Sequence, residues 1–417
     1  MLRQLLFVAL AVAGLVAPSR FFAQENESGR LKVAPNLTGR DPFSVRANRV
    51  PKQKTDSRQT QTAQERDVKR EVGTISKPTT RTKSVSSASD ALFLLDSTEP
   101  VVCEIKSLSN GSGIVATVSG KEKIFATSEV GSVELAVTEE YQLGEEAFAS
   151  GKKRGDGTEY RRALELFKSA RKKAVRRIEK ELATARIVDA YAALGQDDEA
   201  VGEFFLLCRL DPFTAYLESI PLRWINQTTL ARGSSGDMKQ LVETTAVEWL
   251  KPKQNPSGKL NPTGRLLAAS ILLNSSRHSQ EAREAMQSLV VLEAPDGADE
   301  QMKQAYRTIA LLASAQMERL AILRKPTESE LARWRQTLEL LPDALRIGPA
   351  TLIAQAEKSL GQDENAARDF LKISTLAAEK FSIAEYSAKE AANAYERLQR
   401  SEVAQAIQAD AQRRFNK

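Results

Sequence analysis

A seven-residue phrase occurs twice in the chain, 166 residues apart, and it restricts the folds that the chain can adopt. The copies are Leu194–Ala200, which reads Leu-Gly-Gln-Asp-Asp-Glu-Ala, and Leu360–Ala366, which reads Leu-Gly-Gln-Asp-Glu-Asn-Ala. One apolar helical pattern ends at each copy and another begins, so each copy predicts the turn of a helical hairpin. Recurrence of such a turn is typical of stacked helical repeats, whose surfaces hold partners.

The chain from residue 137 to residue 417 is predicted to be mainly α-helical. Ala, Leu, Glu, Gln, Lys and Arg dominate there, and apolar residues recur at spacings of three and four. The pattern is interrupted by Pro221, Pro252, Pro256 and Pro262. Beyond the first of them, helices are expected near Met238–Leu250, Pro262–Leu273, Ser279–Leu292, Asp299–Leu323 and Glu328–Leu341. A long coiled coil, the alternative, needs an unbroken heptad seam, which the frequent Gly and Pro argue against.

The hairpin pattern is clearest between residues 187 and 212. Tyr191 is predicted to line the first helix of this unit, and Gly195 to end that helix. On the second helix, the small side chain of Ala200 lets the two helices approach closely. Phe204, one turn later, is expected to fill the space between neighbouring hairpins.

These residues resemble the tetratricopeptide repeat (TPR) family. Its pattern places Leu-Gly-x-x-Tyr on the first helix, Gly near the turn, then Ala-x-x-x-Phe and a closing Pro. The matching positions in this unit are Ile187, Tyr191, Gly195, Ala200, Phe204 and Pro212. Further matches are Leu143, Gly144, Gly151, Tyr160, Ala163, Phe167, Ala170, Ile353, Gly361, Ala366 and Phe370. The clearest repeats thus span 140–212 and 350–415, and the resemblance implies a solenoid of α-α hairpins.

The resemblance also implies where a partner would bind. In this family the first helices of the hairpins form the inner, concave face of the superhelix. In this chain those helices carry Glu145, Asp189, Gln355 and Lys358. These four side chains are therefore expected to contact a protein or peptide partner.

The start of the chain predicts export. A short basic lead, Met1–Gln4, precedes an apolar run from Leu5 to Ala17. A run of that length suits a secretory signal better than a membrane span, which needs about 20 residues. Segment 1–23 is therefore predicted to be a signal peptide that directs the protein to the periplasm, the cell envelope or the outside. The alternative is an uncleaved amphipathic anchor.

Segment 24–90 is predicted to be a disordered basic linker. It carries 14 Lys and Arg against 8 Asp and Glu, and it has few large apolar residues with which to offset its ordering entropy. It is either a solvated spacer or an electrostatic tether to an anionic envelope polymer or membrane. The remaining body, 91–417, has 44 basic and 46 acidic residues. Because that body is nearly neutral, no specific binding of nucleic acid is expected.

A small β module is predicted between residues 91 and 135. Short runs rich in Val, Ile, Leu and Phe are separated by Gly-containing turns such as Ser119–Lys121. In the run that starts at Val101, Val102, Glu104 and Lys106 alternate with apolar residues, which indicates a half-buried strand. A module of this size needs to lean on the helices that follow it.

Candidate chemistry is sparse. His278, the only histidine, lies in a polar turn and is expected to face solvent. Cys103 and Cys208 belong to different modules, so two buried free thiols are favoured over a disulfide. These residues provide neither a metal-ligand set nor a nucleophile–base pair. We therefore expect no catalytic residue, no cofactor, no metal and no enzymatic activity.

A run of basic residues from Lys168 to Arg177 is the densest positive segment of the helical body. Lys168, Arg171 and Lys172 share a helical face and could bind an acidic ligand. The favoured interpretation is a solvated face that is partly neutralised by Glu179 and Glu181.

Together these features favour an exported TPR-like scaffold or adaptor that binds partner proteins or peptides in the cell envelope. The first alternative is a structural envelope protein that its basic linker tethers to an anionic wall or membrane. The second is a hydrolase with a site between Phe213 and Pro262, where the helical pattern breaks.

Overall fold

A computed structural model describes residues 31–33, 46–47 and 89–415, apart from 98, 109–112, 127–128, 211–215, 226–235, 252–260, 323–324 and 378. The described residues all belong to one compact unit, Arg30–Ala47 with Glu71–Lys417. The predicted signal segment 1–23 and most of segment 24–90 lie outside the described residues.

In the described residues, seven short strands form an antiparallel sheet. They are β1 (Leu31–Val33), β2 (Arg46–Ala47), β3 (Asp90–Leu94), β4 (Val101–Ser107), β5 (Ile114–Val118), β6 (Lys121–Phe125) and β7 (Val130–Leu135). Hydrogen-bonded neighbours follow the order β2-β1-β7-β3-β4-β5-β6. Strands β3–β7 confirm the small sheet predicted between residues 91 and 135. Strands β1 and β2 come from the segment predicted to be disordered; β1 pairs with β7, and β2 pairs with β1.

One face of this sheet is apolar. In β4, Cys103 and Ile105 are buried, whereas Val102, Glu104 and Lys106 are exposed, so the predicted alternation is confirmed. The tight turn between β5 and β6 is formed by Ser119 and Gly120, which have φ of 51° and 77°. Two successive residues with positive φ give the turn that suits the right-handed twist of a two-residue hairpin.

Thirteen α-helices follow in the described part of the chain. They are α1 (Glu139–Arg154), α2 (Gly157–Lys173), α3 (Arg177–Ala193), α4 (Asp197–Leu210), α5 (Gly236–Leu250), α6 (Pro262–Leu272), α7 (Ser279–Val290), α8 (Glu300–Ala321), α9 (Glu328–Glu339), α10 (Ile347–Ser359), α11 (Asp363–Leu376), α12 (Phe381–Arg397) and α13 (Ser401–Phe415). Within the runs α1–α4, α5–α8 and α9–α13, each helix packs against its neighbours in sequence. This is the predicted architecture, a solenoid of α-α hairpins. Every helix expected between residues 238 and 341 is present within two residues of its predicted bounds.

The hairpins pack through alternating small and large side chains. Six residues of the predicted pattern are fully buried: Ala163, Phe167, Ala200, Phe204, Ala366 and Phe370. A Cβ added to Gly144 of α1 would lie 2.6 Å from Cε1 of Phe167 in α2, so only glycine permits this approach. Tyr191 is half-buried. Pro212 lies outside the described residues.

A buried ion pair joins the sheet to the helices. The Asp90 carboxylate, at the start of β3, accepts hydrogen bonds from the backbone N–H groups of Ile105 and Ala136, both at 2.8 Å. It also pairs with the guanidinium of Arg176, the residue that precedes α3. Arg176 in turn donates to the Ala136 carbonyl at 2.5 Å and to Glu179 at 2.9 Å. Because the Asp90 side chain is fully buried, these bonds fix the sheet against the start of α3.

The C-terminal hairpins lie against the N-terminal ones. The ring of Phe381, at the start of α12, packs on the turn at Gly195 between α3 and α4. Lys152 of α1 pairs with Glu379, and Asp197 of α4 hydrogen-bonds to Ser382. These contacts bring the start and the end of the solenoid to the two sides of one cavity.

Candidate functional site

A cavity of about 910 Å³ lies between the N-terminal and C-terminal hairpins. Its wall is formed by α1, α3, the first turn of α4, segment 218–225, the join between α9 and α10, α11 and the start of α12. Small-ligand sites have volumes of about 300–1,000 Å³. The cavity therefore has room for a small ligand or for a few residues of a peptide.

A three-residue charge group lies on the wall formed by α1 and α3. Nε and Nη2 of Arg186 donate to the two carboxylate oxygens of Glu145 at 2.7 and 3.1 Å, and Nη1 donates to Asp189 at 3.1 Å. The two-pronged bond to Glu145 fixes the guanidinium in one plane. Burial raises the pKa of Glu145, and Arg186 opposes that shift. The group thus has two carboxylates and one cation.

Lys380 lies opposite this group, just before α12. Burial lowers the pKa of its ammonium, and the carboxylates of Asp189, Glu379 and Glu218 oppose that shift. Negative charge therefore reaches this ammonium from three parts of the wall: α3, the residue before Lys380, and segment 218–225.

Asp197 and Arg223 form a second charged group at the first turn of α4. Burial raises the pKa of Asp197, whereas the hydrogen bond to Ser382 and the charge of Arg223 lower it. Nη2 of Arg223 donates to the neighbouring Asp198 at 2.5 Å. Burial also lowers the pKa of Arg223. These partly desolvated charges are strongly sensitive to any group that enters the cavity.

Segment 218–225 has little regular structure, yet the helices α6, α8 and α10 hold it in place. Arg319 of α8 donates to the Arg223 carbonyl and, at 3.0 Å, to the Ser270 carbonyl of α6. Burial, followed by the charge of Arg223, lowers the pKa of Arg319 to about 10. The indole of Trp224 fills the space next to Gly348 of α10, where an added Cβ would overlap the ring. The segment is therefore a fixed wall of the cavity.

Apolar side chains form the rest of the wall. They include Phe148, Ile220, Trp224, Ile347, Ile373 and Ile383. Leu376 of α11 also lines the cavity and is 63% exposed, which marks an apolar position at the opening. An occupant would thus meet charged and apolar groups together.

The structure separates the four predicted contact residues into two pairs. Glu145 and Asp189 line the cavity and share Arg186. Gln355 and Lys358 are on α10 but do not line it. Lys358 pairs with Glu390 of α12 at 2.5 Å, and Gln355 hydrogen-bonds to Tyr386.

Sequence reasoning missed several residues of the wall. Arg186 and Asp189 are three residues apart on one helix, a spacing that suggests an ion pair. No such signal relates Arg186 to Glu145, which is on another helix 41 residues away. Asp197 resembles an ordinary acidic helix start, and Lys380 lies in a short polar turn. Only the packing of distant hairpins brings these two residues into the wall of one cavity.

The basic run 168–177 is paired with carboxylates. Lys168 contacts Glu165 at 3.0 Å, Arg171 pairs with Glu203, and Lys173 pairs with Glu140. These pairs support the favoured interpretation of a neutralised surface.

The remaining predicted residues occupy ordinary positions. Cys103 and Cys208 are buried and free, as predicted, and burial raises the pKa of Cys103 to about 11. His278 is half-exposed in the turn before α7, with Nδ1 3.7 Å from Glu281. Among the described residues, no group of three or more His, Cys, Asp and Glu is arranged to hold a metal ion. Within the same residues, no helix combines the length and apolar character that a membrane span requires.

The fold and the cavity define a helical-hairpin solenoid with a charged and apolar interior site. Comparison of the chain with protein-family models, with curated proteins and with solved structures finds no match.

Proposed function

We propose that the protein is an exported TPR-like scaffold that holds a partner protein or peptide in its interior cavity. The observation that carries this proposal is the composition of the cavity wall. The first helices of four hairpins, α1, α3, α10 and α12, contribute side chains to it, together with residues of α4, α9 and α11. A concave surface built from successive first helices is how repeat solenoids hold extended ligands.

The side-chain pattern supports assignment to the TPR class. Ala163, Ala200 and Ala366 are fully buried, and each is followed four residues later by a fully buried Phe. Gly195 and Gly361 end their helices with φ of 71° and 79°. The pattern thus coincides with hairpin packing in both parts of the chain.

Export and a role in the cell envelope are proposed from segment 1–23 alone. Its basic lead and its apolar run of 13 residues support a cleaved signal. Sequencing of the mature N-terminus tests this proposal. A start within residues 20–24 supports it, and an intact Met1 contradicts it.

A structural role is the second candidate, and it rests on the charge of segment 24–90. This segment has 14 basic and 8 acidic residues, while the body of the chain is nearly neutral. We propose a weak electrostatic contact with anionic envelope polymers. Deletion of 24–90 should release the protein from envelope fractions, and retention after the deletion would exclude the tether.

Filling the cavity tests the scaffold. Ala149 is exposed on α1 and lines the cavity, so Trp at this position would occupy it without disturbing the helix. Immobilised Ala149→Trp protein should capture its envelope partner about tenfold less well, because the large ring excludes the partner. Ala406→Trp is the matched control, since Ala406 is exposed on α13 and does not line the cavity.

Both variants should melt at the temperature of the wild type. Equal capture by wild type and Ala149→Trp would exclude the cavity as the binding site.

A further inference from the structure

The cavity wall has more carboxylates than cations. Eight acidic side chains line it: Glu145, Asp189, Asp197, Glu218, Glu339, Asp343, Asp369 and Glu379. Six basic side chains line it: Lys152, Arg186, Arg223, Arg346, Lys372 and Lys380. The lining therefore has a formal charge of −2, the difference between six cations and eight carboxylates.

The wall's own ion pairs do not remove this excess. Arg186 is shared between Glu145 and Asp189. Arg346 is shared between Asp343 at 2.9 Å and Glu339 at 3.8 Å. In each group one cation bonds to two carboxylates, and Lys380 is in turn shared among Asp189, Glu218 and Glu379. Arg223 is bonded to Asp198, which is outside the lining, and this leaves less of its charge for Asp197.

Burial makes the surplus of carboxylate charge in the wall energetically unfavourable. It raises the pKa of both Glu145 and Asp197, which means that the surroundings disfavour their ionised forms. A cation that entered the cavity would stabilise these carboxylates. The apolar residues around them, among them Phe148, Trp224 and Ile383, would cover the aliphatic stem of a long basic side chain.

We propose that the cavity selects a peptide segment in which a Lys or Arg side chain is flanked by apolar residues. The basic group would lie against carboxylates of the wall, among them Asp189, and the flanking residues against the apolar wall. This inference rests on the proposed function and specifies the chemistry of its partner. Lys380 is the group that opposes such a ligand, because its ammonium already lies among Asp189, Glu218 and Glu379.

Three pools of pentapeptides test the inference. Each peptide is acetylated and amidated, has Lys, Glu or Gln at its centre, and has mixed Ala, Leu, Phe and Ser at the other positions. The pools are equilibrated with the purified protein by dialysis, and retention is measured by mass spectrometry. The Lys pool should be retained about tenfold better than the Gln pool, the gain of a charge-assisted hydrogen bond. The Glu pool should be retained least.

Two variants should change retention of the Lys pool in opposite directions. Asp189→Asn removes one carboxylate and should lower it, whereas Lys380→Met removes the competing cation and should raise it. Glu300→Gln and Lys303→Met are matched controls on α8, away from the cavity lining, and should leave it unchanged.

The possible failures are distinguishable. Equal or better retention of the Glu or Gln pool, abolished by Ala149→Trp, would overturn the inference and leave the proposed function standing. A Lys pool that responds in the same direction to Asp189→Asn and Lys380→Met would also overturn the inference. Retention of no pool would contradict the inference and the proposed function together.

Discussion

At the scale of single residues, the two glycines of the repeated phrase have the same backbone and different neighbours. Gly195 and Gly361 have φ of 71° and 79°, so each needs the left-handed conformation that side chains disfavour. A Cβ at Gly195 would be 2.9 Å from Cδ1 of Phe381, whereas nothing lies within 4 Å of a Cβ at Gly361. The same phrase therefore ends a helix in both copies and also supports a distant contact in the first.

These two glycines predict that matched substitutions to Ala will lower the free energy of unfolding by different amounts. Gly361→Ala should lower the free energy of unfolding by about 1 kcal/mol, the cost of left-handed backbone. Gly195→Ala should lower it by about 1 kcal/mol more, because the ring of Phe381 must also move. Urea unfolding measures both values. The extra loss should shrink when Phe381 is replaced by Ala, and equal losses for the two glycines would contradict the contact.

The carboxyl group of Glu318, on α8, should make the stability of the protein depend on pH. Burial raises its pKa from 4.5 to about 7, while Arg333 lowers it and Glu330 raises it. Because the folded-state pKa exceeds the unfolded one, stability from the neutral carboxyl is present below pH 4.5 and is lost as the pH rises to about 7. Glu318→Gln should therefore raise the melting temperature more at pH 8 than at pH 5.

Exposed Glu300 on the same helix provides the control. Glu300→Gln should shift the melting temperature equally at both pH values. A Glu318→Gln shift that does not depend on pH would exclude the raised pKa.

At the scale of elements, local patterns predicted the helices and strands and could not predict how they meet. The capping box at Thr327 and Glu330 is present, and it marks the start of α9 as its spacing predicts. The alternation around Cys103 likewise predicted β4. Asp90, by contrast, looks like any polar residue before a strand, since its partners are 15, 46 and 86 residues away. Contacts over such separations leave no periodic signal in one sequence.

Removal of the Asp90 side chain should loosen the sheet locally, because this side chain joins the sheet to α3. Asp90→Ala should destabilise it by about 3 kcal/mol or more, because Arg176 and two backbone N–H groups lose a buried partner. Hydrogen exchange of the Ile105 and Ala136 amides should then accelerate, while the amides of α10–α13 keep their rates.

Glu104→Ala is the matched control in the same sheet. Glu104 pairs with Lys106 at 2.8 Å, and both side chains are nearly half-exposed, so its loss should cost at most about 1 kcal/mol. Unchanged exchange at Ile105 in Asp90→Ala would show that this ion pair does not hold the sheet in place.

At the scale of the whole molecule, the candidate site was only half predictable. The resemblance to TPR proteins placed the ligand face on first helices, and Glu145 and Asp189 are part of the cavity wall. It could not place Gln355 and Lys358, because the inner face of α10 depends on how the C-terminal hairpins return to α3. Nor could it show that the ammonium of Lys380 lies among the carboxylates of Asp189, Glu218 and Glu379.

Site-specific photo-crosslinking from within the cavity shows directly whether a partner binds there. A benzophenone side chain is placed at position 149, which lines the cavity, or at position 406, which does not. Cells that produce the protein naturally are irradiated, and adducts are resolved by size. A scaffold that holds its partner in the cavity should give a discrete adduct from position 149 that position 406 does not give. No adduct from position 149, or the same adduct from both positions, would contradict binding in the cavity.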